Sequence, residues 1–131
     1  MYIHDFAAAA TAAVNEHNPT AVVALWAEPA DYLSPLTGPQ NGLEALRRRE
    51  ESLFGAFSDL RTTITPLGQD GHTGAMLVRF DGTHDGPYAG MPATGNTIAL
   101  EMVAIVDFDD DGKVIGERVM LDTADVAAAL G

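Results

Sequence analysis

The chain is predicted to be an α+β domain, with helices segregated from an antiparallel sheet. Three observations predict this. Segments of helical composition cluster before residue 58, β-rich segments separated by Gly, Pro and Asp turns fill residues 60–121, and a short Ala-rich segment closes the chain. At 131 residues with 47% apolar content, the length fits one domain, residues 1–131, with a real core.

The first helix is expected over Asp5–Asn15, with Asp5 as cap and an alanine-rich body. Asn18-Pro19 follows as N-cap and first helical residue of a helix over Thr20–Ala27, which Pro29 ends. Asp31–Pro35 reads as extended, because Ser34 precedes a proline. Residues 38–42 read as a loop. A third helix is expected from Leu43 to Phe57, capped by Asn41 or Gly42, with Glu44 in its first turn.

Leu60–Leu67 and Thr73–Phe80 read as a hairpin around Asp70-Gly71. Residues 82–95 form a long Gly/Pro-rich loop, Thr97–Phe108 a long strand and Val114–Leu121 the last strand of a meander of about four. Asp109–Gly112 turns between those last two strands, and Asp122 caps a helix over Thr123–Leu130. The long strand is apolar on both faces: Ile98, Leu100, Met102, Ala104 and Val106 on one, Ala99, Val103 and Ile105 on the other. One face packs on the helices, and the other would be exposed in a monomer. A homodimer or higher oligomer through the sheet is therefore expected.

Nineteen acidic residues against seven basic ones give a net charge of −12. That balance argues against nucleic acid as a partner, since phosphate recognition needs Lys and Arg, and against an anionic membrane surface. With no cysteine, disulfides, thiolate metal sites and cysteine nucleophiles are excluded. No apolar run approaches the roughly 20 residues of a membrane span, and the Ala-rich start lacks a basic leader. A cytoplasmic location is expected. There is no nucleophile-elbow, dinucleotide or P-loop motif, and no histidine pair has metal-ligand spacing.

Four stretches together carry a more specific signal: ADYLSP at 30–35, GLEALRRREESLFGAFSDLR at 42–61, FDGTHDGPYAGMPATG at 80–95 and DGKVIGERVMLDTADVAAALG at 111–131. In this order the chain resembles the SnoaL-like polyketide cyclases of the NTF2-like superfamily. The resemblance implies a cone: N-terminal helices packed on a curved antiparallel sheet of about four to six strands, a short C-terminal helix, and a deep apolar pocket open at one end. It also implies an oligomer that needs no metal or organic cofactor. The family's acid/base carboxylate and its histidine fall on Val119 and Ala104 here, so both groups are absent. The base of the related ketosteroid isomerases falls on Ser34.

The residues themselves offer other carboxylates. Leu43, Leu46, Leu53, Phe54 and Phe57 form an apolar stripe on the third helix, with Glu50 near its middle and Arg47 at its edge. A carboxyl facing an apolar pocket suits general acid or base work; alternatively Glu50 pairs with Arg47 or Arg49 at the surface. Glu117 shares strand parity with Val119 and points to the same side, unless it faces solvent at the rim. As a histidine, His84 is of the residue type suited to proton transfer near neutrality, or it simply ties the loop backbone. Tyr32 and Trp26 flank the pocket entry in the family layout, and Tyr32 could hydrogen-bond a substrate oxygen.

Phe54, Phe57, Met76, Phe80, Tyr88, Met91, Met102 and Met120 offer adaptable apolar surface. The expected function is cofactor-free acid/base chemistry on a hydrophobic, polyketide-like small molecule: cyclisation, hydration, epoxide opening or isomerisation. Glu50, Glu117, His84 and Tyr32 would carry it, with Arg47, Ala104 and Val119 in the wall. The alternative is a non-catalytic binder of hydrophobic ligands on the same fold.

Overall fold

The computed structural model describes residues 2–131. Its elements are α1 (Tyr2–Asn15), α2 (Pro19–Val23), β1 (Trp26–Ser34), β2 (Gly38–Gln40), α3 (Leu43–Ala56), β3 (Arg61–Asp70), β4 (Thr73–Thr83), β5 (Thr97–Phe108), β6 (Val114–Met120) and α4 (Thr123–Leu130). The six strands form one curved sheet in the order β2-β1-β6-β5-β4-β3. All neighbours are antiparallel except β1 and β6, which run parallel.

The predicted caps of α2 and α4 form. Asn18 accepts from Ala21 N at 3.1 Å, and Asp122 accepts from Ala124 N at 2.9 Å. Asp5 is not a cap; α1 starts at Tyr2 and Asp5 lies in its first turn. The second helix ends at Val23, four residues before the expected Ala27, and Trp26 opens β1. The cause is tertiary. Val114 N donates to Leu25 O at 3.0 Å and Lys113 Nζ to Ala24 O at 2.6 Å, so β6 draws this segment into the sheet. Pro29 therefore lies inside β1, after a cis bond, and the 38–42 loop contains the short strand β2.

Gly42 stands at the N-cap of α3 without a side-chain bond, and Glu28 of β1 supplies one, accepting from Leu43 N at 3.0 Å. A carboxylate there also complements the helix dipole. The helix is thereby fixed against β1 from its first turn.

Helix α1 covers β3 and β4. Gly74 lets it pack closely, because a Cβ there would lie 3.0 Å from Ile3 Cδ1 and push that side chain aside. At the other end of α1, the Asn15 side chain accepts from Thr62 N at 2.8 Å and donates to Thr62 O at 3.1 Å. Thr62 lies on the edge strand, so the amide completes its ladder as a further strand would. The inner face of β5, from Ile98 to Val106, packs toward the helices; on the outer face Val103 and Ile105 are half-buried and Ala99 is exposed. Met120, expected among the pocket residues, has outward parity and is 51% exposed.

Asn15→Ala removes both edge bonds and leaves the buried Thr62 backbone unpaired. It is expected to lower the unfolding free energy by about 1–3 kcal/mol, read as a lower urea midpoint with unchanged slope. An unchanged midpoint would show that the clamp carries no stability.

Candidate functional site

Between the concave face of the sheet and the helices lies a cavity of about 770 Å³. Its wall is mostly apolar, and its charged groups converge from two elements. Helix α3 supplies Arg49 and Glu50, successive residues about 100° apart on the helix. Strand β6 supplies Glu117, which stands opposite Tyr32 of β1 in the parallel register. All four side chains line the cavity.

Arg49 joins the two carboxyls. Glu50 Oε1 accepts from Nε at 3.0 Å and from Nη2 at 2.7 Å, while Glu117 Oε1 accepts from Nη1 at 3.0 Å. The Tyr32 ring covers the guanidinium, with Cζ 4.2 Å from the ring centroid, and Trp26 lies beside it at 5.6 Å. The Glu50 and Glu117 side chains are only 4% and 8% exposed. Glu50 Oε2 is buried with no hydrogen-bond partner in the protein.

Burial on its own disfavours the Arg49 cation, but the attraction of Glu50 and Glu117, with Tyr32, outweighs it and raises the Arg49 pKa above its ordinary value. Arg49 is therefore a permanent positive charge. Burial pushes the Glu117 carboxyl above the ordinary glutamate value; Arg49 pulls it down only in part, and Glu50 repels its negative charge. Burial also raises the Tyr88 phenol, with Tyr32 and Glu50 adding to the shift and Arg49 opposing it. Tyr88 stays a neutral donor in the cavity wall.

Of the remaining predicted residues, Trp26, Phe57, Met76, Phe80, Tyr88, Met102, Ala104 and Val119 line the cavity. Ala104 and Val119 are register partners on β5 and β6. Arg47, Phe54 and Met91 do not line it. Arg47 turns toward α2 and donates to Thr20 Oγ1 at 3.1 Å. Phe54 stacks on His17, with ring centroids 4.7 Å apart. Met91 pairs its backbone with Tyr88 in an isolated bridge.

His84 is fully buried and is not in the cavity wall. Its Nδ1 lies 2.9 Å from Thr94 Oγ1, and its backbone pairs with Asn96 O and Gly95 N. It holds the 84–96 loop closed on itself, an arrangement that fits the loop-tying alternative among its two expected roles. The same loop is pinned to α3: Asp85 N and Gly86 N both donate to Ala56 O, and a Cβ on Gly86 would clash with Gly55 O. The pinning carries Pro87 to Gly90 over the cavity.

Sequence reasoning missed Arg49 as the centre of the site, since three consecutive arginines at 47–49 give no sign of which one turns inward. It also missed Val126 and Leu130 of α4, whose apolar spacing was the available signal. Among the described residues no group of His, Asp and Glu could hold a metal ion, and no helix is long and apolar enough to cross a membrane.

A family model described as SnoaL-like polyketide cyclase matches residues 4–130. A search of curated proteins matches none. Among solved structures, TsrD from Streptomyces laurentii superposes with a TM-score of 0.86 at 22% identity, over 99% of this chain and 95% of that one. SalBIII, described as an epoxide hydrolase/cyclase-like enzyme in pyran ring formation in the polyether salinomycin, gives 0.77 at 21% identity, over 94% and 92%. A Catenulispora acidiphila protein described as having a ketosteroid isomerase-like fold gives 0.80 at 18% identity, over 97% and 92%. Likeness at this level of identity establishes the fold.

The raised Glu117 pKa fixes a pH dependence. The folded protein binds this proton more tightly than the unfolded chain does. The stabilisation is full below the ordinary glutamate pKa, about 4.3, and is lost as pH rises through the folded value. Asp59 and Asp85, held low by donors from Thr83 and Ser58, act in the opposite sense. The difference between wild type and Glu117→Gln isolates the Glu117 contribution. The variant should gain stability relative to wild type as pH rises through that window, measured by urea titration at several pH values. A pH-independent difference would contradict the raised pKa.

Proposed function

The chain belongs to the SnoaL-like polyketide cyclase family, and on that premise we propose that it is a cofactor-free acid/base enzyme acting on a hydrophobic, polyketide-like small molecule. One observation carries the reading: two carboxyls bridged by a single guanidinium in the wall of an apolar cavity, one with a buried oxygen that no protein group satisfies. Two acids with different environments are the ordinary basis for dividing acid and base roles.

Glu50 is the general base, working through Oε2 while Arg49 holds Oε1. Glu117 is the general acid, since burial favours its protonated form. Tyr32 covers the guanidinium and borders the reacting space, and Tyr88 offers a neutral phenol. The chemistry open to such a pair is cyclisation, hydration, epoxide opening or isomerisation. SalBIII, a structural neighbour described as epoxide hydrolase/cyclase-like, makes ring closure on an epoxide the first reaction to try. Glu50 removes the proton of a substrate hydroxyl, whose oxygen bonds to the epoxide carbon. The carbon–oxygen bond of the epoxide breaks, and its oxygen takes the proton of Glu117. Product and substrate have equal mass, and the pair is reset by proton exchange with solvent after release.

The reading also carries a cytoplasmic location and a homodimer. The half-buried Val103 and Ile105 on the outer face of β5 support self-association. A second reading, a non-catalytic ligand carrier, draws on Ala104 and Val119 standing where the resemblance places the family's histidine and carboxylate.

Incubation with apolar epoxy-alcohols, followed by chromatography and mass spectrometry, distinguishes the two. Conversion to an isomer of equal mass is expected, falling by about 10²-fold or more in Glu50→Gln and in Glu117→Gln with folding retained by circular dichroism. Bound ligand recovered unchanged, with affinity alone altered in the variants, would support the carrier instead.

A further inference from the structure

The polar end of the cavity is unusual in what it offers a ligand. Arg49 gives three N–H donors to its own glutamates, and its face is covered by Tyr32 at 4.2 Å. Its charge, at the cavity wall, is thus already shared between two carboxyls. Glu50 Oε2 is left as a buried acceptor without a partner, and Glu117 gives only Oε1 to Arg49. A buried carboxylate oxygen without a donor is costly, and a ligand that brings one relieves that cost.

We propose that the cavity selects ligands whose polar end is a hydrogen-bond donor, a hydroxyl or an ammonium group on an apolar body, and turns away carboxylates. The inference rests on reading this cavity as the ligand site, but not on catalysis. An anionic head group brought to the Glu50 end would meet a second carboxylate, beside a guanidinium whose charge Glu50 and Glu117 already share. Arg48 also borders the cavity, but it is 66% exposed and 3.5 Å from Glu44, so solvent and that carboxylate screen its charge. The net charge of −12 adds a field that lowers the local concentration of anions around the whole molecule.

The test is isothermal calorimetry at neutral pH with four ligands of one shape: 4-phenylbutanol, 4-phenylbutylamine, 4-phenylbutyrate and butylbenzene. The alcohol and the amine are expected to bind, and the butyrate to bind at least about tenfold more weakly than the alcohol. Glu50→Gln, whose amide can donate, should shrink that gap. Butyrate binding as tightly as the alcohol, a gap unchanged in the variant, or no binding of either donor would overturn the inference. Butylbenzene separates the two levels. If it binds while the ranking fails, only donor selection is lost; if it too fails, the ligand site falls with it.

Discussion

A guanidinium inside an apolar wall has to be matched, and Arg49 is matched twice. One partner is its neighbour on α3 and the other stands on β6, 68 residues away. Breaking a buried ion pair typically costs about 3–5 kcal/mol, because a charge is left without a partner. The contact therefore fixes where α3 lies against the sheet. Tyr32 completes it from β1, and its register opposite Glu117 depends on the parallel β1–β6 pairing. Helix α3, strands β1 and β6 and the polar end of the cavity are held by one group.

The same arrangement is what the proposed chemistry draws on. Two carboxyls share one arginine, so a single guanidinium has to serve both. Burial raises Glu117, while Glu50 makes two hydrogen bonds to the guanidinium. The positions that carry the family's carboxylate and histidine by resemblance hold Val119 and Ala104, register partners in the cavity wall. The carboxyls that line the cavity stand instead on α3 and β6, as Glu50 and Glu117.

Much of this was legible from local chemistry. The caps at Asn18 and Asp122, the Asp70-Gly71 turn and the apolar stripe with Glu50 at its centre are all short-range signals. Glu117 was legible by strand parity from Val119. Trp26 was not, because Val22, Val23, Leu25 and Trp26 have helical spacing, and only the contacts of Lys113 and Val114 with residues 24 and 25 pull that segment into a strand. Arg49 was hidden for the same reason: its direction is set by Glu117, and pairing across 68 residues leaves no local pattern. His84 invited a functional reading by its residue type, whereas its loop bonds to Thr94, Asn96 and Gly95 place it outside the cavity wall. Of the 19 acidic residues, two are central here, and position rather than charge total distinguishes them.

Carbon-detected NMR titration of the Glu117 carboxyl, in wild type and in Arg49→Met, is the most direct measurement of whether one guanidinium governs both acids. The wild-type midpoint should lie above that of ordinary glutamates and rise further when the cation is removed, since Arg49 opposes the effect of burial. A midpoint in the ordinary glutamate range, unmoved by the substitution, would mean that Arg49 does not hold the pair together.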